Sequence, residues 1–224
     1  MSQSRNSLST STLVAIAIAM GAVVGAAGIY WKASASGNAP TDESLASADE
    51  VTCKADPEML AALKPLARGE VAAMAVRDDP VALPELEFVS EQGGALTLSD
   101  FAGQALLVNL WATWCAPCRA EMPALAELQS KLGDDDFKVL AINIDTGDVA
   151  KPKAFLDEIG VANLGLYRDA SMGVFNTLKK EGLAFGLPVT LMVGKDGCML
   201  GAMNGPAEWA SDDARALVEG LKGI

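Results

Sequence analysis

The hydrophobic pattern changes character twice along the chain. After a polar start at residues 1–12, where Arg5 is the single charge, residues 13–31 (LVAIAIAMGAVVGAAGIYW) run 19 positions without a charged side chain. As a helix rising about 1.5 Å per residue, such a run covers roughly 28 Å, close to the ~30 Å hydrocarbon layer of a bilayer. Tyr30 and Trp31 fall where an interface would lie. The pattern therefore predicts one transmembrane helix over 13–31. Ala33-Ser34-Ala35 has the look of a signal cleavage site. The apolar run, however, exceeds the ~7–15 residues of a signal-peptide core, so an uncleaved signal-anchor is expected. Residues 32–48 are small, polar and Pro/Gly-containing, which reads as a flexible linker.

From residue 49 to 224 the pattern is that of a folded domain. DPEMLAALKPLARGE reads as a short helix with Pro57 in its first turn and Pro65 bending or ending it. ELEFVS and ALTL, joined by EQGG, read as a hairpin. ALLVNLWA at 105–112 is a continuous apolar run, the signature of a strand buried on both faces. A helix is predicted from the cysteines of CAPCRAEMPALAELQSKLG to Gly133, then a second buried strand in FKVLAINID. AKPKAFLDEIG and SMGVFNTLKKEG read as helices around a short LGLYRD strand. LPVTLMVGKDGCMLGAM reads as a hairpin turning at KDG, and SDDARALVEGLKG as a closing helix with Ser211 as its N-cap. Strands alternating with helices predict a layered α/β domain.

Composition narrows the chemistry. The net charge is −12, from 17 basic and 29 acidic side chains, which repels nucleic-acid phosphates; no nucleic-acid partner is expected. Histidine is absent. That removes His-containing zinc sites, Ser-His-Asp and Cys-His catalysis and C-x-x-C-H haem attachment, since Arg119 follows Cys118. Acid–base work must fall to a carboxylate, a lysine or a thiol. No cofactor or metal is expected.

The candidate chemistry lies in NLWATWCAPCRAEMP at 109–123. A buried strand, a short turn and a helix put Cys115 at a helix N-terminus, where unpaired N–H groups and the positive end of the dipole favour a thiolate. Cys118 lies within reach in the first helical turn, so it can release a partner that Cys115 has attacked. Pro117 is tolerated there because an early helical N–H has no partner to lose. A structural zinc site would need four ligands, and only Cys53 and Cys198 remain. A peroxiredoxin pattern would require Pro and Thr or Ser where Val108 and Ala112 stand. A copper-delivery pattern would need C-x-x-x-C and a histidine. A redox pair, with catalytic Cys115 and Cys118, is the expectation. By themselves, Cys53 and Cys198 could be a disulfide or two buried thiols. The even cysteine count beside an anchor fits an oxidising compartment.

WCAPC resembles the active site of the thioredoxin superfamily, and VNLWATWCAPCRAEMP resembles its membrane-anchored bacterial thiol:disulfide interchange proteins, the TlpA/ResA-like group. GLPVTLMVGKDG at 186–197 is similar to that group's cis-proline strand, which implies that Leu187–Pro188 is cis and faces the cysteines. The segment around 148 to 181 matches the group's helix-strand insertion, and GCMLGAMNGPAEWAS resembles the TlpA branch more than the cytochrome c maturation branch. The resemblance implies a thioredoxin-like fold with an N-terminal extension and a central insertion, and a structural Cys53–Cys198 disulfide. It also implies a reductant of client disulfides in the periplasm, held at the bacterial inner membrane by its N-terminal helix. Its clients would be copper chaperones and the copper subunit of cytochrome oxidase, or apocytochrome c on the cytochrome c maturation side. Electrons would come from a membrane thiol reductase of the DsbD/CcdA kind. Ala116-Pro117 brings no charge between the cysteines, so a potential of roughly −270 to −200 mV is expected, near thioredoxin.

One position departs from the thioredoxin pattern, which has a buried aspartate where this chain has Asn109. A proton acceptor for Cys118 must then come from elsewhere. Glu121 matches a glutamate of the ResA-like pattern, one helical turn beyond Cys118. It could equally be a solvated helix charge. Trp114 is expected to contact partners, with Trp111 partly in the core.

Overall fold

A computed structural model describes Cys53 and residues 56–224. The predicted N-terminus, transmembrane helix and linker lie outside the described residues. Within the described residues no helix is long and apolar enough to cross a membrane.

The domain opens with helix α1 (Pro57–Leu63), capped by the Asp56 carboxylate and continued by a 3-10 turn at Lys64–Leu66 where Pro65 forbids another α-helical hydrogen bond. Strand β1 (Ala75–Ala82), the hairpin strands β2 (Phe88–Val89) and β3 (Ala95–Leu96), and β4 (Ala105–Trp111) follow. Helix α2 (Ala116–Leu132), β5 (Phe137–Asn143), α3 (Ala150–Glu158), β6 (Tyr167–Arg168) and α4 (Gly173–Lys180) come next. The chain closes with β7 (Val189–Val193), β8 (Cys198–Asn204) and α5 (Asp212–Lys222), whose N-cap is Ser211.

The strands form one mixed sheet in the order β1-β8-β7-β4-β5-β6-β2-β3. β4, β5 and β6 run parallel, while β7 and β8 are antiparallel additions on the other side of β4. All seven residues of β4 are buried, because helices cover both faces. The period-2 alternation divides them. Ala105, Leu107 and Trp111 face the core under α1, α2 and α5, whereas Leu106, Val108 and Leu110 face the core under α4 and the β2–β3 hairpin. Asn109 falls on the α2 side, a polar residue among apolar neighbours. The helix–strand insertion expected around 148 to 181 is α3, β6 and α4, with β6 only two residues long.

β1 has no counterpart in the hydrophobic pattern. Its sequence, AVRDDPVA, holds two aspartates and a proline. It forms because it is an edge strand paired only with β8, and its register slips between Val76 and Val81. Such a bulged edge accommodates Pro80 and keeps Asp78 and Asp79 in solvent. The β1–β8 approach is close at Gly201, where a Cβ would lie 3.0 Å from the Ala75 carbonyl oxygen and 2.8 Å from Met192 Cε.

Candidate active site

The site grows from the carboxyl ends of β4 and β5, where open α/β sheets place their ligands. Trp111 ends β4, and a three-residue turn leads to Cys115, the N-cap of α2 in extended conformation (φ −90°, ψ 99°). Asp145, just past β5, pins this turn: its carboxylate accepts from the Thr113 N–H (3.1 Å) and the Thr113 hydroxyl (3.1 Å). Asn143 Nδ2 donates to the same carboxylate at 2.9 Å. The turn therefore hangs from a buried acid just beyond the neighbouring strand.

Cys115 and Cys118 are disulfide-bonded, with Cα atoms 5.3 Å apart. The Cys118 N–H donates to Cys115 Sγ at 3.2 Å, so the sulfur occupies the capping position that an oxygen usually fills. Cys115 is 6% exposed and Cys118 is fully buried, which leaves Cys115 as the sulfur open to a partner. Pro117 stands in the first turn of α2, where it costs no hydrogen bond. Trp114 is 65% exposed beside the pair, while Trp111 is buried and packs on Phe155 of α3 with ring centroids 5.6 Å apart. Arg119 also packs on this ring, its guanidinium carbon 4.9 Å from the Phe155 ring centroid. The insertion helix thus braces the redox turn through one aromatic ring.

Glu121 is buried, 3% exposed, so it is not the solvated helix charge that its position equally allowed. Its Oε1 accepts from Asn109 Nδ2 at 2.9 Å. Its Oε2 accepts from Trp209 Nε1 (3.1 Å) and the Ala207 N–H (3.2 Å). Burial pushes its pKa up from 4.5 to about 7, against the pull of the three donors, among which Asn109 counts most. Asn109 Nδ2 also donates to Thr190 Oγ1 at 3.0 Å, across the β4–β7 pairing that sets Asn109 opposite Thr190. A polar thread thus crosses the core from β7 through β4 to α2 and on to the loop after β8. Sequence reading missed Thr190, Ala207 and Trp209. The one signal was the GPAEWAS stretch, which carried resemblance but no hint that its tryptophan N–H seeks a carboxylate.

Leu187–Pro188 is cis, and the Pro188 carbonyl accepts from the Gly205 N–H at 2.9 Å. Asn204 staples the approach to this loop, accepting from the Phe185 N–H and donating to the Leu183 carbonyl. Phe185, 79% exposed, is a second bare aromatic that the sequence reading did not single out. Cys53 and Cys198 form a disulfide with Cα atoms 5.6 Å apart. Cys198 begins β8 and Asn204 ends it, so this bond lies at the opposite end of the sheet from the Pro188 loop. Among the described residues no cluster of potential ligands could hold a metal ion.

Comparison with known proteins agrees with this geometry. The Redoxin family profile matches residues 78–218, more than half of the chain. The chain is 37% identical over 76 residues to the thioredoxin-like protein YneN of Bacillus subtilis (strain 168), covering 33% of this chain and 44% of that one. It is 28% identical over 114 residues to the thiol-disulfide oxidoreductase ResA of Geobacillus kaustophilus (strain HTA426), covering 51% and 62%. The match therefore spans less than two thirds of either relative. A thiol:disulfide interchange protein of the thioredoxin family from Chlorobium tepidum TLS superposes with a TM-score of 0.54 at 22% identity, covering 64% of this chain and 97% of that one. A DsbF homologue from Corynebacterium diphtheriae does so with a TM-score of 0.53 at 21% identity, covering 68% and 93%. At these identities the two structures speak for the thioredoxin-like fold.

Proposed function

We propose that this chain, which belongs to the Redoxin family, is a thiol-disulfide oxidoreductase that reduces disulfides of partner proteins. The observation that carries this reading is Cys115 capping α2 with its own sulfur, bonded to Cys118 one turn on, with the buried, raised-pKa carboxylate of Glu121 a further turn along the same helix. In the reduced state the Cys115 thiolate attacks one sulfur of a client disulfide. A Cys115–client bond forms and the second client sulfur leaves as a thiolate, which takes a proton from water. Cys118 then gives its proton to Glu121 and attacks Cys115 Sγ. The Cys115–Cys118 bond forms, the mixed disulfide breaks, and the client sulfur that Cys115 had attacked leaves as a thiolate and is protonated. Two electrons have passed to the client. A dithiol reductase must return them, and a membrane thiol reductase of the DsbD/CcdA kind suits that role.

Catalytic roles for Cys115, Cys118 and Glu121, supporting roles for Trp114, Pro117 and Pro188, and a structural role for Cys53–Cys198 belong to this proposal. So do the arrangement of residues 1–12, 13–31 and 32–48 as cytoplasmic N-terminus, transmembrane signal-anchor and linker, and the placing of 49–224 in the periplasm at the inner membrane. Resemblance to the TlpA branch favours clients of copper-centre assembly: copper chaperones and the oxidase copper subunit. Apocytochrome c is the alternative client, and a non-catalytic thioredoxin-like adaptor the alternative function. Reduction of insulin disulfides by the full chain, regenerated with dithiothreitol, tests the activity. Turnover that requires both Cys115 and Cys118 is the expected result, and client protein accumulating on Cys115 in a Cys118→Ser variant identifies the partners. A full chain that binds clients yet reduces none would leave the adaptor.

A further inference from the structure

Three buried side-chain polar atoms among the described residues lack a hydrogen-bond partner, and one of them is Asn109 Oδ1. Its amide nitrogen, by contrast, spends both N–H groups, on Glu121 Oε1 (2.9 Å) and Thr190 Oγ1 (3.0 Å). An orphaned buried acceptor is costly and rare. The two ends of an amide are nearly the same size, and a half-turn about the last side-chain bond exchanges them. That half-turn would aim Oδ1 at Glu121 and Thr190 together. An ionised Glu121 offers only acceptors, and the observed orientation suits it. A protonated Glu121 offers one O–H donor, and Thr190 can donate its hydroxyl as readily as it accepts. The reversed amide would then accept from both, while its N–H groups turn to the side where Oδ1 now has no protein partner. Each orientation matches one protonation state.

We propose that Asn109 is a positioning residue that turns its amide over as Glu121 gains or loses a proton, presenting Nδ2 to the carboxylate and Oδ1 to the carboxylic acid. For its meaning in turnover this rests on Glu121 as the proton acceptor of Cys118. The other groups facing Glu121 cannot follow the proton. Trp209 Nε1 and the Ala207 N–H only donate, and Glu208 between them is exposed. On its own helix Cys118 stands one turn before Glu121 and is bonded to Cys115, so neither thiol titrates in the oxidised chain. A fixed donor favours the anion alone, whereas Asn109 favours either form. Burial brings Glu121 to about 7, and a partner that fits both forms leaves the carboxyl able to take a proton there and to give it up.

The test uses the oxidised full chain, in which Glu121 titrates without the thiols, followed through ¹³C-labelled glutamate carboxyls and assigned with Glu121→Gln. Cross-relaxation between the Asn109 amide protons and the Thr190 methyl should be present above the Glu121 midpoint and fade below it with the same midpoint. Amide protons that stay beside Thr190 throughout the titration would overturn the proposal. Two variants give a second measure. Trp209→Phe removes a one-way donor and should raise the Glu121 midpoint by about one pH unit or more. Asn109→Leu removes a partner of both forms and should raise it by clearly less. An Asn109→Leu rise equal to or above that of Trp209→Phe would also overturn it. No arm reads client reduction, so an inactive enzyme with a reversing amide would defeat the proposed function alone, and a fixed amide in an active enzyme this inference alone.

Discussion

Replacing Glu121 by glutamine should make the protein more stable at neutral pH while slowing it. The carboxylate is buried, and its pKa stands at about 7 against an ordinary 4.5. Below pH 4.5 both folded and unfolded chains hold the proton, and the group contributes nothing to pH dependence. Between 4.5 and about 7 the unfolded chain releases it while the folded chain keeps it, so stability falls as pH rises. The interval of 2.5, at about 1.36 kcal/mol for each pH unit, amounts to roughly 3 kcal/mol lost by pH 8. Glutamine does not ionise. Its carbonyl can accept from Trp209 and Ala207, and its amide can face Asn109 Oδ1 once that amide has turned. The variant's stability minus the wild type's should therefore climb by about 3 kcal/mol from pH 4 to pH 8. Urea unfolding of the oxidised chains at several pH values measures it. The subtraction cancels exposed groups such as Glu127 and Asp134, whose pKa values their lysine partners lower in both proteins. A difference that stays flat across this range would refute the buried, proton-holding glutamate.

Trp114→Ala should lower kcat/KM for a protein client by about tenfold or more, as loss of an interface aromatic does, and leave a small disulfide substrate unaffected; an equal loss with both would make Trp114 part of the chemistry and not of docking. Cys53→Ala/Cys198→Ala should lower the unfolding free energy by up to about 5 kcal/mol, the chain-entropy ceiling for a bond across a sequence separation of 145 residues. Urea unfolding reads the change, and a loss below about 1 kcal/mol would mean that the unfolded chain gains little freedom from its removal.

What the sequence made legible was whatever repeats locally. The seven apolar residues of β4, the strand–turn–helix step at Cys115 and the Ser211 cap announce themselves within a few positions. β1 does not, because an edge strand with one partner and a bulge needs no hydrophobic alternation, and Asp78-Asp79-Pro80 reads as a breaker. The surroundings of Glu121 were hidden for a different reason. Its partners lie 12, 86 and 88 residues away along the chain, brought in by β4 and by the loop after β8. Nothing in RAEMP distinguishes a buried glutamate from a solvated one. Only the register that sets Asn109 under α2 makes the difference.

The same register explains why only one of positions 109 and 121 carries an acid. An aspartate at 109 would put a second carboxylate about where Nδ2 now meets Glu121 Oε1 at 2.9 Å, and two buried carboxyls at that range cannot both ionise. One site has room for one acid, and the choice between strand and helix is open to exchange. Asn109→Asp alone should therefore give a pair sharing one proton, with a broadened pH profile that belongs to neither residue. The double variant Asn109→Asp/Glu121→Gln moves the acid to the strand, where thioredoxins carry theirs. It should resolve the mixed disulfide faster than Glu121→Gln alone, because the buried pocket again holds a carboxylate able to take the Cys118 proton. Single-turnover decay of a Cys115-linked client measures this step directly. If the double variant is as slow as Glu121→Gln, the helix position itself is required, and proton transfer depends on where Glu121 stands on the α2 turn beyond Cys118 and not on a buried carboxylate as such.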